Sequence, residues 1–201
     1  MATGYLALVL HAHLPFVRHP EHDEFLEEEW LFEAITESYI PLLAMMERLV
    51  AEEVPFQLTM TVTPTLCAML QDELLRERYA RHLKRLIGLA EREIERTASD
   101  DQLNALARFY HGGFRETLDA FSKWNGDLVG VFRRFQNTGV LELAASAATH
   151  ALLPLLEQNA EAARAQVRIG CASFRRAFET EPLGFWLPEC AYYPGLEKIL
   201  R

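Results

Sequence analysis

The chain alternates between short apolar runs and longer segments in which apolar residues recur at helical spacing. Four of the runs have the length and composition of strands buried in a sheet. These runs lie at residues 4–10, 55–62, 140–146 and 184–187. The first run has no polar alternation, which predicts a strand that is covered on both faces.

The segments between and after these runs predict amphipathic helices, because their apolar residues repeat every three or four positions. We expect helices at residues 30–53, 74–96, 102–123 and 157–178. Three further helices are predicted, of which one begins at residue 63, one follows the turn at 124–127 and ends at residue 137, and one begins at residue 194. An acidic run at 27–29 predicts a solvated first turn, since acids complement the helix dipole. His82 lies on the highly charged helix at 74–96 and is also expected to be solvated.

Strands and helices alternate four times, with additional helices between the second and third strands. This order predicts an α/β fold with a parallel sheet and helices outside it. A closed barrel of this class takes eight strands and ~250 residues, whereas this chain has four predicted strands in 201 residues. We therefore expect residues 1–201 to be the N-terminal part of a larger catalytic barrel, with a helical insertion at about 64–138. The rest of the barrel would belong to a missing C-terminal half of the same protein.

Composition narrows the class of protein. The net charge is −9, with no cluster of Lys and Arg on one face, which argues against nucleic acid as a partner. No apolar run approaches the ~18 residues of a membrane span, and no basic segment precedes an apolar one as in a signal peptide. Three widely spaced cysteines without a C-x-x-C pair give no zinc motif and favour a reducing cytoplasm.

Polar residues follow each of the four predicted strands. In barrels the active site lies at the carboxyl ends of the strands, so these residues are expected to converge on one site. They are His11 and His13, Thr61 and Thr63, Ser146 and His150, and Glu189.

Glu189 stands out because aromatic residues surround it in the sequence. Trp186 precedes it, and Tyr192 and Tyr193 follow. Aromatic rings cover the apolar C–H faces of sugars, and carboxylates cleave glycosidic bonds, so this stretch favours carbohydrate chemistry. The alternative is that Glu189 caps the following turn and pairs with a nearby Arg or Lys.

His11 and His13 allow two interpretations. Two histidines one residue apart on an extended segment point the same way and can share a divalent metal ion, with His150 or Glu142 as further ligands. That arrangement would make the protein a metal-dependent barrel hydrolase. Neutral imidazoles can also hydrogen-bond sugar hydroxyls, and we prefer this interpretation, which requires neither metal nor cofactor.

Three motifs, in order along the chain, resemble family 57 of the glycoside hydrolases. They are H-A-H-L-P at 11–15, G-V-L-E-L at 139–143 continuing to His150 and Pro154, and W-L-P-E at 186–189. The segments E-E-W-L-F-E-A at 28–34 and 184–193 are similar to the α-1,4-glucan branching enzymes of that family. The resemblance covers the whole chain.

The resemblance implies part of an incomplete, TIM-like (β/α)7 barrel and a retaining mechanism without a metal. Glu189 would be the nucleophile, while the acid/base aspartate and a C-terminal helical region would lie beyond residue 201. These 201 residues alone are therefore expected to be inactive. By the same resemblance His11 and His13 line the subsite next to the scissile bond, and His150 and Trp186 shape its pocket. Trp30 is a further substrate-binding candidate, although it could equally be a core residue.

The implied activity is transfer of an α-1,4-glucan chain to a 6-hydroxyl of α-glucan, as in the synthesis of glycogen. Three alternatives remain open. A family 57 α-amylase or 4-α-glucanotransferase would use the same Glu189 with a different acceptor. A metal-dependent hydrolase would use His11 and His13, and a non-catalytic protein would bind glucan without turnover.

Overall fold

The computed structural model describes residues 4–200, which divide into two compact units. The sheet unit contains the described residues of Met1–Phe16, Glu53–Met69 and Val129–Arg201. The helical unit contains Val17–Glu52 and Leu70–Leu128. No helix within residues 4–200 is long and apolar enough to cross a membrane.

The sheet unit is built on parallel strands that lie side by side in chain order. The strands are β1 (Val9–Ala12), β2 (Leu58–Val62), β3 (Leu141–Ser146) and β4 (Phe185–Trp186). The parallel α/β fold predicted from the sequence is confirmed. The register pairs His11 with Thr61 and Ser146 with Trp186, so polar residues of neighbouring strands meet at the carboxyl edge of the sheet.

The predicted first strand is displaced in the structure. β1 begins at Val9 instead of residue 4, and Tyr5 is 98% exposed. The reason is the position of its neighbour, because β2 starts at Leu58 and pairs Thr59 with Val9. Residues 4–7 extend past the start of β2 and have no strand to pair with among the described residues, although most of their side chains are apolar.

Helix α7 (Ala160–Phe178) connects β3 to β4 and packs on β3. The side chain of Asn159 caps its first turn by accepting a hydrogen bond from the backbone N–H of Ala162. Its buried face carries Val167, Gly170 and Phe174 at three- and four-residue spacing. Gly170 faces the carbonyl of Ser146 so closely that a side chain there would collide with it.

The helix predicted from residue 194 is wrong. The chain forms only a short 3-10 turn at Leu196–Lys198, after Gly195 adopts a φ of +103°. This turn is held by hydrophobic contacts, because Leu196 and Tyr193 are buried in a cluster with Leu153.

The helical unit contains helices whose buried, mostly apolar residues form its core. Its complete helices are α1 (Leu26–Ala34), a π-helical turn (Ile35–Tyr39), α2 (Ile40–Ala51), α4 (Glu73–Arg96) and α5 (Asp101–Lys123). The chain passes between the two units within α3 (Pro64–Gln71) and α6 (Leu128–Asn137). The side chain of Asp72 caps α4, and Asp100 caps α5.

The sequence predicted that the acidic run at 27–29 is solvated, and for Glu28 this prediction is wrong. Glu28 is 1% exposed, and one of its carboxylate oxygens lies 2.6 Å from Nη1 of Arg78, which is 6% exposed. The same carboxylate accepts a hydrogen bond from the backbone N–H of His19. A buried ion pair of this kind is tolerated because each charge has close partners.

Candidate active site

The carboxyl ends of the strands bring five of the predicted site residues together. His11 belongs to β1 and His13 follows it, while His150 follows β3. Trp186 belongs to β4, and Glu189 lies in the 3-10 turn Pro188–Cys190 directly after it. The rule that barrel sites form at strand ends thus selected residues that lie close together.

Four aromatic rings of this group stack on one another. The ring centroids of His11 and Trp186 are 4.8 Å apart, with 16° between the ring planes. His150 stacks on His11 at 4.8 Å and on His13 at 3.7 Å. The result is a nearly continuous aromatic wall that runs from β1 to β4.

Glu189 is held next to this wall with its carboxylate in solvent. Its Oε1 lies 3.3 Å from Nε2 of His150, and its side chain is 70% exposed. Glu189 and Cys190 have φ values of +55° and +54°, which L-residues adopt at a cost of about 1–3 kcal/mol each. The predicted alternative partner, an Arg or Lys, is replaced in the structure by a histidine of the site itself.

The three histidines of the site favour their neutral forms. The His150 side chain is 4% exposed, and its pKa falls from 6.5 to about 4. Burial is the largest cause of this pKa shift, followed by the neighbouring His13 and His11, whereas Glu189 opposes it. Burial also lowers the pKa values of His11 and His13. Near neutral pH each ring therefore has one N–H donor and one acceptor nitrogen.

Several polar atoms at this edge of the sheet are buried without a hydrogen-bond partner among the described residues. They are Nδ1 of His150, Nε1 of Trp186 and Oγ1 of Thr61. Nδ1 of His13, in contrast to Nδ1 of His150, has a hydrogen-bond partner, because it lies 3.1 Å from the hydroxyl of Thr63. Buried polar atoms without partners are uncommon and often mark sites that meet a polar ligand.

We expect acid to destabilise the folded protein through His150. Between pH 6.5 and about 4 an unfolded His150 binds a proton and the folded one does not. The free energy of unfolding therefore falls as the pH decreases through this window. His150→Asn removes the titrating ring and suits the residue's φ of +55°, since Asn tolerates this conformation.

The measurement is the thermal midpoint of both proteins by circular dichroism at neutral pH and near pH 4. Wild-type protein should lose about 2–4 °C more than His150→Asn over this range, the effect of about 1 kcal/mol in a domain of this size. An equal loss in both proteins would contradict a lowered pKa for His150.

The stacking of His13 on His150 does not suit a metal ion shared by these two rings. Imidazole lone pairs lie in the ring plane, and the planes of His13 and His150 differ by only 19° at a centroid distance of 3.7 Å. Nearly parallel, stacked planes cannot both point a nitrogen at one ion about 2 Å away. Glu142, the other predicted ligand, is exposed on β3. Within residues 4–200 no group of three or more His, Cys, Asp and Glu side chains is arranged to hold a metal.

A comparison with known protein families assigns this chain to one of them. The family model of glycosyl hydrolase family 57 matches residues 7–201, which is nearly the whole chain. The chain belongs to glycosyl hydrolase family 57. The sequence motifs that resembled this family, from H-A-H-L-P to W-L-P-E, are the segments that form the stacked wall and carry Glu189.

Individual family 57 proteins match over most of this chain. A 1,4-alpha-glucan branching enzyme of Thermococcus kodakarensis is 40% identical over 195 residues, which cover 96% of this chain. The crystal structure of the alpha-amylase AmyC from Thermotoga maritima has a TM-score of 0.93 at 44% identity and also covers 96%. A GH57-type branching enzyme from Pyrococcus horikoshii has a TM-score of 0.89 at 39% identity and covers 95%.

This chain is much shorter than those proteins. It spans 28% of the Thermococcus enzyme, 37% of the Thermotoga amylase and 36% of the Pyrococcus enzyme. The family 57 neighbours have a (β/α)7 barrel, and the four strands described here form a curled part of such a barrel with helices around it.

Trp30 does not belong to the stacked wall of this family 57 site. It lies on α1 in the helical unit, and it is 49% exposed. The alternative of a core tryptophan is therefore wrong, and a role in substrate binding stays a prediction.

Ser146, a predicted site residue, and Gly170, which no motif indicated, both support this family 57 site from within the sheet unit. The hydroxyl of Ser146 donates a hydrogen bond to the carbonyl of Trp186 at 3.0 Å, which fixes β4 beside β3. Gly170 lets α7 approach the same Ser146. A glycine on the apolar face of a predicted helix was the available signal, because such a residue often marks close packing.

Proposed function

We propose that the complete protein is an α-1,4-glucan branching enzyme in which Glu189 is the nucleophile. The observation that carries the proposal is the exposed Glu189 carboxylate at 3.3 Å from His150, beside the aromatic wall of a family 57 chain. The similarity to two branching enzymes named above supports the choice of reaction.

In the proposed reaction Glu189 attacks the anomeric carbon of an α-1,4-linked glucose. The bond to the leaving 4-oxygen breaks, and that oxygen takes a proton from an acid outside these 201 residues, an aspartate by the family resemblance. A covalent glucosyl ester on Glu189 results. The 6-hydroxyl of another glucan chain then attacks this ester and gives its proton to the same aspartate, which restores Glu189.

The stacked rings suit a substrate of neutral sugars. Trp186 and the three imidazoles stack face to face, and neutral histidines donate and accept hydrogen bonds with hydroxyls through the nitrogens at their ring edges. The neutral rings also place no full positive charge beside the Glu189 carboxylate. A carboxylate that is not neutralised by a cation stays available as a nucleophile.

A second candidate is an α-amylase that uses the same residues. The likeness to the Thermotoga amylase favours it, with a TM-score of 0.93 and 44% identity. In that reaction water, instead of a 6-hydroxyl, attacks the glucosyl ester on Glu189. Both candidates share every step up to the intermediate, so only the acceptor separates them.

The linkage of the product decides between the two. We expect the complete protein, incubated with unbranched amylose, to produce α-1,6 linkages at nearly constant reducing-end content. Proton NMR of the product measures the α-1,6 signal, and a debranching enzyme should release short chains from it. A rise in reducing ends without α-1,6 linkages would replace the branching proposal with the amylase.

We also place the protein in the cytoplasm, where glycogen-type polymers are made. Its support is the state of Cys67, Cys171 and Cys190, which are all free thiols. Free thiols persist in reducing compartments.

A further inference from the structure

The helical unit contains a separate cavity of about 540 Å³. Its lining residues come from two parts of the unit, residues 23–26, 28, 29 and 32 around the start of α1 and residues 78, 81, 82 and 85 of α4. Ligand-binding sites commonly have volumes of about 300–1,000 Å³, so this cavity can hold a small molecule or part of a chain. None of the residues predicted as catalytic or substrate-binding lines it.

The cavity is built on a fixed frame. Arg78 is buried in its wall and pairs with Glu28. The same guanidinium donates hydrogen bonds to the backbone carbonyls of His19 and His22. These contacts tie the loop before α1 to α4, so the cavity wall is preorganised.

The charges of the cavity wall nearly cancel. Three arginines, Arg78, Arg81 and Arg85, face four acids, Asp23, Glu24, Glu28 and Glu29. The guanidinium of Arg85 lies 3.2 Å from a carboxylate oxygen of Glu29 and 3.6 Å from one of Glu24. The charge of Arg85 is therefore balanced by acids of the same wall. The balance of three positive and four negative groups selects neither a phosphate nor a strong cation. A neutral ligand with many hydroxyl groups suits it, because guanidinium groups donate and carboxylates accept hydrogen bonds.

Aromatic rings supply the remaining surface. Phe25 stacks on the ring of His19 at 3.7 Å, and Phe32 lies 5.2 Å from the ring of His82. His82 is partly buried in this wall, unlike the solvated residue that the sequence predicted. Rings beside paired charges combine contacts for the C–H faces and the hydroxyls of a sugar.

We propose that this cavity, which shares no lining residue with the stacked wall or Glu189, binds a short segment of α-glucan. The choice of α-glucan rests on the proposed function, whereas the preference for a neutral polyhydroxy ligand rests on the cavity alone. Arg81 is the residue best placed to contact it, because it lines the cavity, is exposed and has no hydrogen bond or ion pair within the described part of the chain.

The test compares Arg81→Ala with Arg92→Ala in the complete protein. Arg92 is exposed on the same helix but does not line the cavity, so it is a matched control. Binding is measured as retardation in native gels that contain glycogen, and turnover as the initial rate on a short maltooligosaccharide. Arg81→Ala should weaken retardation about tenfold, since hydrogen bonds to a charged group are among the strong ones. Its rate on the short substrate and both properties of Arg92→Ala should match the wild type.

Wild-type retardation in Arg81→Ala would overturn the proposal. A second result would also overturn the proposal. If millimolar inorganic phosphate abolished the retardation of the wild-type protein, and more glycogen did not restore it, the cavity would be an anion site. The two proposals fail separately. If the complete protein had no glucan turnover but Arg81→Ala still weakened glycogen binding, the cavity proposal would stand and the branching function would be rejected. Turnover that requires Glu189, with unchanged binding by Arg81→Ala, would do the reverse.

Discussion

Replacing Glu189 with Gln is expected to abolish glucan transfer by the complete protein while leaving its fold intact. The amide is nearly the same size as the carboxylate but cannot form the glucosyl ester, so the first chemical step is lost. The rate should fall by about 10⁴-fold or more, the scale seen when a nucleophile is removed from an enzyme. Because the side chain is exposed, its loss should change the thermal midpoint little.

Glu157→Gln is the control for this experiment. Glu157 is an exposed glutamate of the same sheet unit, outside the site, and its replacement should leave transfer unchanged. Glu189→Gln has a second readout that does not depend on activity. The Glu189 carboxylate raises the pKa of His150, so its removal should lower that pKa further, as NMR of the imidazole would show. Normal transfer by Glu189→Gln would falsify the assignment of the nucleophile.

The position of the site could be predicted from the sequence because it depends on few long-range facts. Apolar runs with the length of strands predicted β2, β3 and β4. Parallel strands bring their carboxyl ends to one edge, so His11, His150 and Glu189 had to converge if the strands were adjacent. The strand order β1-β2-β3-β4 made them so.

Other features could not be predicted, because they depend on which distant residue is the neighbour. Glu28 is buried only because Arg78, fifty positions later, supplies a partner. β1 is shorter than the apolar run that predicted it because β2 begins too late to pair with Tyr5. His82 is partly buried because the ring of Phe32, fifty positions earlier on α1, lies against it. Local periodicity carries no information about such pairings.

Replacing Gly170 with Ala is expected to have the largest effect on stability. A Cβ atom at this position would lie 2.0 Å from the carbonyl oxygen of Ser146 and 3.2 Å from the backbone nitrogen of Ala148. These are backbone atoms, which cannot rotate away as a side chain does. Helix α7 would have to move off β3, although the Ala148 N–H donates a hydrogen bond to the carbonyl of Gln166 on that helix.

We expect the free energy of unfolding of Gly170→Ala to fall by about 3 kcal/mol or more, at the upper end of overpacking effects. Urea unfolding of the two proteins measures it. Gly112→Ala is the matched control, since Gly112 also lies inside a helix but has no atom within 4 Å of an added Cβ. That variant should be stabilised by about 0.5–1 kcal/mol, because alanine favours the helix.

The damage in Gly170→Ala should reach the active site through Ser146. The Ser146 hydroxyl holds the carbonyl of Trp186, and Trp186 stacks on His11. Displacing Ser146 would therefore shift β4 and disturb the wall beside Glu189. Transfer by the fraction of Gly170→Ala that remains folded should be lower than in Gly112→Ala at equal folded concentration. Equal stability of the two glycine variants would show that α7 lies further from β3 than the close contact at Gly170 requires.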